Sequence, residues 1–444
     1  MEKTFLLQKD NSKAYCKKTQ GITLIALVVT IVVLLILAGI TISLVFSENG
    51  IIAKAREAAE KTNQAVINEQ VQMNELAGYM ENMLNGIGGS GTTPEPEPEP
   101  ELPADGSYSE EKGVNTPNLG EGMTAIKWNG SSWVETTGSD SDWYDYSAKK
   151  WANAKTADGS MWVWIPRYAY SIPSAGYHKS TATEISIEFM KGTRNETTSG
   201  RTSFNNASGQ GNWNIHPAFN YGQPVSGLWV AKFEASQSNG KIMVQPGVSS
   251  WRSITVDSIY TNCINYNKTL NSHMMKNDEW GAVIYLSKSK YGKNDKVTIN
   301  GSSSYYTGGG VENAYVNNGA QSTTGNVWGV YDMCGGAYEY VAAYVNNGNA
   351  NLTNNGSSLV NGDPKTKNVY SQTGTDSNTN NYNTNKGVYG DAVYETSTSG
   401  NGSTSWYSDA SNFPNTSNPF FIRGDSYLNG SYAGMFYFAY NSGR

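Results

Sequence analysis

Residues 325–341 read GNVWGVYDMCGGAYEYV. Tyr and Trp suit a pleated, half-buried surface, and the glycines between them supply turn geometry. Asp332 and Glu339 are the charged positions of the stretch. Carboxylates in such a setting cap backbone turns or hold calcium through their oxygens. A second stretch of the same texture, FFIRGDSYLNGSYAGMFYFAY, runs over 420–440. Further upstream, MWVWIPRY at 161–168 and GLWVAKF at 227–233 read as strands or buried turns, the latter with period-2 alternation. DEWGAVIYL at 278–286 suits a short helix, and the Asn/Gly/Ser-rich stretches 301–324 and 345–405 read as long loops.

The two aromatic stretches, by their residues, their order and their position late in the domain, resemble the sulfatase-modifying-factor, or formylglycine-generating enzyme, family. Its signature runs Gly-Leu-Tyr-Asp-Met-x-Gly-Asn-Val-x-Glu-Trp. Val330, Tyr331, Asp332, Met333, Gly335 and Glu339 match or nearly match it, while Gly336 replaces the Asn and Tyr340 the Trp. In the later block Arg423, Gly424 and Ser426 are retained. The resemblance covers about forty residues and implies an α+β, C-type-lectin-like domain over 107–444, rich in irregular loops. The alternative is a β-rich fold in which the Trp/Tyr/Gly clusters are only core and turns. Related blocks commonly continue to a final buried strand, so a stop at Arg444 implies an early end or a truncation.

Composition narrows the function. Only 16% of residues are charged, against roughly 25% in an ordinary soluble domain. Four glutamates of the net charge of −6 sit at 95, 97, 99 and 101, leaving −2 elsewhere, so no basic nucleic-acid footprint exists. The family's modifying enzymes bind copper through C-terminal cysteines, yet no cysteine follows Cys334, and Ala433 and Gly434 stand where a thiol is expected. His178, His216 and His273 lack zinc-site spacing, and no Gly-x-Ser-x-Gly elbow occurs in a strand-to-helix context. The expectation is a non-enzyme without cofactor or metal. Cys263 and Cys334 could pair or stay as buried free thiols.

The C-terminal block carries the palette of antibody loops, in which Tyr gives large contacts and Ser, Asn and Gly adaptable hydrogen bonds. Asp425, Tyr427, Asn429, Ser431, Tyr432, Tyr437, Tyr440 and Asn441 are therefore the expected ligand-binding residues. Phe436 and Phe438 are expected inside, with Tyr437 outside; the plainer alternative makes the block a last core strand and turn. The arrangement is similar to that of binding proteins diversified by retroelements, and Tyr, Ser, Asn and Asp codons are reachable from an adenine-rich Asn template.

The N-terminal hundred residues add an expected display apparatus. Ile22–Phe46 carries no charge over 25 residues, roughly 37 Å as a helix, enough to span a bilayer. The lysines before it place residues 1–21 in the cytosol. The Lys17-Lys18-Thr19-Gln20-Gly21 boundary resembles the type IV prepilin motif, which implies cleavage after Gly21 by a prepilin peptidase and methylation of Ile22. Ala26 stands where that family has Glu, which argues against a major filament subunit. A heptad-like stripe from Ile52 to Met83 predicts a stalk helix over 47–86, able to pack on other pilins or on its own domain. Gly-rich residues and PEPEPEPE make 87–106 a semi-rigid spacer.

The combined expectation is a single-pass bacterial membrane protein at the cell surface or on a pilus. Its C-terminal domain would bind a protein or glycan ligand. The alternatives are a minor pilin or pseudopilin of a pilus or secretion machine, and a formylglycine-type modifying enzyme.

Overall fold

Short strands bounded by Gly, Asn and Ser account for most of the regular structure in the computed structural model, which describes residues 108–444. The leader with Gly21 and Ile22, the apolar segment, the stalk pattern and the Pro-Glu spacer lie outside the described residues.

The largest sheet is antiparallel throughout. It contains β3 (Met123–Trp128), β4 (Trp133–Glu135), β5 (Asn153–Thr156), β6 (Met161–Pro166) and β10 (Gly227–Ala231) in the order β10-β6-β5-β3-β4. The Trp-rich β6 lies against β10 with Trp164 opposite Trp229 and Val163 opposite Val230. Aromatic and β-branched cross-strand pairs of this kind stabilise a sheet. Smaller sheets surround it: β1 (Tyr108–Ser109) with β2 (Val114–Asn115), β7 (Tyr168–Ser171) between β8 (Ser186–Phe189) and β9 (Asn214–Ile215), and the hairpin β11 (Ser236–Ser238) and β12 (Lys241–Met243).

The four-stranded sheet contains both stretches first quoted. Its order is β14-β13-β15-β16, from β13 (Glu339–Val345), β14 (Asn368–Tyr370), β15 (Phe420–Arg423) and β16 (Phe438–Asn441). β13 and β14 are parallel, so a crossover must join them. That crossover holds α3 (Ala350–Asn361), which packs on α1 (Val256–Tyr266). Val256, Tyr260, Leu352, Leu359 and Phe420 form a small core there. α4 (Asn378–Thr384) follows β14.

The remaining helix, α2 (Asn277–Ser287), is buried along its whole length, its polar first turn Asn277–Glu279 included, and Trp280–Leu286 makes it apolar beyond that turn. Its N-terminus is capped by Glu279, whose Oε2 accepts from Lys276 N at 2.8 Å. The main core around it draws on distant parts of the chain. Glu395 accepts hydrogen bonds from Tyr170 Oη (2.8 Å), Tyr285 Oη (2.9 Å) and Gly390 N (2.7 Å). Trp406 Nε1 donates to Gly176 O (3.1 Å), and Val256 N at the start of α1 donates to Gly443 O (3.0 Å).

These observations correct two expectations. Sheet predominates over a few short helices among the described residues, so the α+β, lectin-like class is not what they form; the expected transmembrane and stalk helices lie outside them. The physical reason is composition: Gly, Asn and Ser are poor helix formers and good turn formers. No helix among the described residues is long and apolar enough to cross a membrane, which counts against the single-pass localisation; the 22–46 segment itself is outside them.

Candidate functional site

The two aromatic stretches meet in space. Glu339 of β13 is in register with Arg423 of β15. Gly335 N donates to Gly424 O (3.1 Å) and Tyr427 N to Gly336 O (3.0 Å). Gly424 and Asp425 both have positive φ, +74° and +59°. They turn the chain out of β15 into a 3₁₀ turn over Tyr427–Tyr432. Asp425 is buried, and its Oδ1 accepts from Ser426 N and Asn429 Nδ2, both at 2.7 Å. It holds the turn rather than facing a ligand.

The turn itself is exposed. Leu428 (70%) and Tyr432 (57%) are the two most exposed large hydrophobic side chains among the described residues. Asn429 and Ser431 are exposed beside them. Tyr427 is half-buried, edge-on to Tyr305 at 5.0 Å, and the Arg252 guanidinium lies over the same Tyr305 ring at 3.8 Å. That stack pins one end of the turn. Tyr437 is buried, contrary to expectation, because it packs with Ile422 and Ala439 while its neighbours Phe436 and Phe438 join the main core as expected. Tyr440 and Asn441 are half-buried, and Asn441 Oδ1 accepts from Tyr340 Oη at 2.6 Å. The eight expected residues thus divide into an exposed group on the turn and a group committed to packing.

Next to the turn lies a cavity of ≈ 1350 Å³, larger than the roughly 300–1,000 Å³ of a small-molecule pocket. Ser426 and Leu428 line one edge, Trp229, Trp251 and Tyr305 the walls, and Glu234, Glu279 and Glu339 supply carboxylates. Glu279 is balanced. Burial pushes its pKa up, but His273, whose Nε2 is 2.9 Å away, and Lys276 bring it down to about 2.

Glu234 and Glu339 are not balanced. Neither has an ion-pair partner among the described residues. Glu234 Oε1 accepts from Ala337 N (3.0 Å), and its Oε2 accepts from Ser250 Oγ. Glu339 Oε2 is shut off from solvent and has no hydrogen-bond partner among the described residues. Burial drives both pKa values well above the usual carboxylate range, and repulsion from Asp332 adds to it; Glu339 also repels Glu234. Asp332, pushed up to about 6 by burial, accepts from Gly308 N (2.9 Å), Asn300 Nδ2 (2.9 Å) and Glu234 N (3.3 Å). Of the two carboxylates expected to cap turns, Asp332 does so and Glu339 does not.

No group of three metal-ligating side chains is placed to hold an ion among the described residues. Cys263 and Cys334 are free thiols, the second buried. Sequence reasoning missed Glu234 and the Trp229–Trp251 wall. The available signal was Lys232 and Glu234 placed as alternating charges at the end of an apolar strand.

No protein-family profile matches the chain, and no curated protein matches it either.

Proposed function

We propose that the domain is a non-catalytic ligand-binding module that grips a protein ligand with the Tyr427–Tyr432 turn and the cavity beside it. The observation that carries this reading is the exposure of Leu428 at the cavity edge and of Tyr432 on the same turn. Large apolar side chains left in water on a rigid turn mark interaction surfaces. Tyr, Ser and Asn around them give adaptable contacts at low entropic cost. The turn is held by backbone bonds, by Asp425 and by the Asn429 amide that donates to it, not by Leu428, Ser431 or Tyr432. Sequence variation at 428, 431 and 432 is therefore tolerable, as a diversified binder requires.

The test is binding of the full chain to protein and glycan arrays, with Tyr432→Ala and Leu428→Ala beside it. A loss of at least about tenfold in binding to a protein spot, at unchanged thermal stability, supports the reading. Equal binding by the folded double variant overturns it.

A further inference from the structure

We propose that the Glu234–Glu339 end of the cavity is a subsite for an organic cation, the lysine ammonium or arginine guanidinium of a protein ligand. The proposal rests on the ligand-binding reading above and adds the chemistry of what is recognised.

Three observations converge. The first is the unanswered charge. Glu234 is 5% exposed and Glu339 Oε2 is sealed from solvent, and no cationic side chain among the described residues pairs with either. The cations that line the cavity are Arg252, which stacks on Tyr305, His273, which bonds Glu279, and the C-terminal Arg444, which forms no ion pair with Glu234 or Glu339. Buried carboxylates without a counter-charge are costly and are retained at functional sites more often than in plain cores.

The second is the orphaned acceptor. Glu339 Oε2 sits where a Cβ built on Gly424 would lie 3.4 Å from it and 3.4 Å from the Trp280 ring. Glu339 lines the cavity together with Tyr338 and Trp280. An incoming N–H would meet the cavity-facing side of a carboxylate that accepts no hydrogen bond among the described residues, with aromatic faces nearby, the two elements that hold ammonium and guanidinium groups.

The third is what the site lacks. Its carboxylates are not grouped for a metal ion, and Glu234 already receives Ala337 N and Ser250 Oγ. That leaves room for a directional donor rather than for a shell of six oxygens. The elevated pKa values of both groups fit a site whose natural counter-ion arrives with the ligand.

The experiment is isothermal titration of the full chain with Nα-acetyl-lysinamide, Nα-acetyl-argininamide and the uncharged isostere Nα-acetyl-norleucinamide, with tryptophan fluorescence followed in parallel. Fragments of this size bind in the range of about 1 mM. A cationic probe is expected to bind at least tenfold more tightly than norleucinamide. Glu339→Gln should remove that preference while leaving the protein folded, with a melting temperature no lower than that of the unaltered chain. Glu234→Gln serves as the second variant should Glu339→Gln fail to fold. If norleucinamide binds as well as the cations, or the folded Gln variants keep the preference, the cation subsite is wrong while the cavity remains a binding site. If no probe binds or alters the fluorescence, the cation subsite is likewise wrong. The array experiment with Tyr432→Ala and Leu428→Ala then decides separately whether the turn binds.

Discussion

A Cβ added to Gly336 would stand 2.6 Å from Glu234 Oε1. Gly336 also has a φ of +66°, a conformation that L side chains adopt at a cost. The glycine lets the backbone of the 325–341 segment pass the carboxylate closely enough for Ala337 N to bond it. Gly336→Ala is therefore expected to destabilise the protein by about 1–3 kcal/mol, read as a lower urea midpoint, and to weaken cavity binding in parallel. A fully stable Gly336→Ala protein would contradict this account.

The two kinds of C-terminal tyrosine should behave differently. Tyr432→Ala removes an exposed ring and should leave stability within about 0.5 kcal/mol while weakening ligand binding. Tyr437→Ala removes a buried ring and should cost about 3 kcal/mol or more, with any binding loss following from unfolding. Thermal melts and binding on the same samples separate the two.

Arg423 is fully buried. Its guanidinium donates to Asn277 Oδ1 (2.9 Å), Asp391 O (3.2 Å) and Ala392 O (3.3 Å) and lies 5.5 Å from the Trp280 ring centre. A lysine cannot reproduce that fork. Both Arg423→Ala and Arg423→Lys should lose stability, the former by about 3–5 kcal/mol, measured by chemical denaturation.

Stability should also depend on pH in a defined direction. Burial raises Asp332 to about 6, and Glu395 and Asp409 to about 7. An acid whose folded pKa is raised holds its proton more tightly when folded. Its contribution is whole below the unfolded value near 4 and is lost as pH rises through 6–7. Glu279, brought down to about 2, works the other way: it stabilises above about 4.5 and that support vanishes as pH falls toward 2. The melting temperature is expected to peak near pH 4–5 and to fall by about 5 °C or more by pH 7.5. Asp409→Asn should flatten part of that decline.

The parts legible in the sequence were those in which local pattern and tertiary role agree. The alternating stretch 227–233 predicts β10, MWVWIPRY reads as the strand or buried turn that becomes β6, and DEWGAVIYL suits the helix that becomes α2. The two aromatic stretches, alike in texture, pair as β13 and β15. What stayed hidden depended on partners far along the chain. α3 and α4 form in Asn-rich stretches with weak helix propensity, α3 because Leu352 and Leu359 gain a core against α1 and α4 because Tyr382 joins the main core. Tyr437 and Asp425 have the residue types of binding loops, but their neighbours bury them. Glu234 is conspicuous only once Ser250 and Ala337 are seen to enclose it.

The bonds from Tyr170 to Glu395, Trp406 to Gly176 and Val256 to Gly443 bridge separations of about two hundred residues. Such contacts raise the contact order and slow folding. Emerging from the ribosome in sequence, the five-stranded sheet forms early but the core around α2 stays open until its last partners appear. For most of synthesis the Trp-rich sheet is exposed with its interior partner missing. The time between making residue 164 and residue 443 is when this chain is most open to aggregation and most in need of a chaperone.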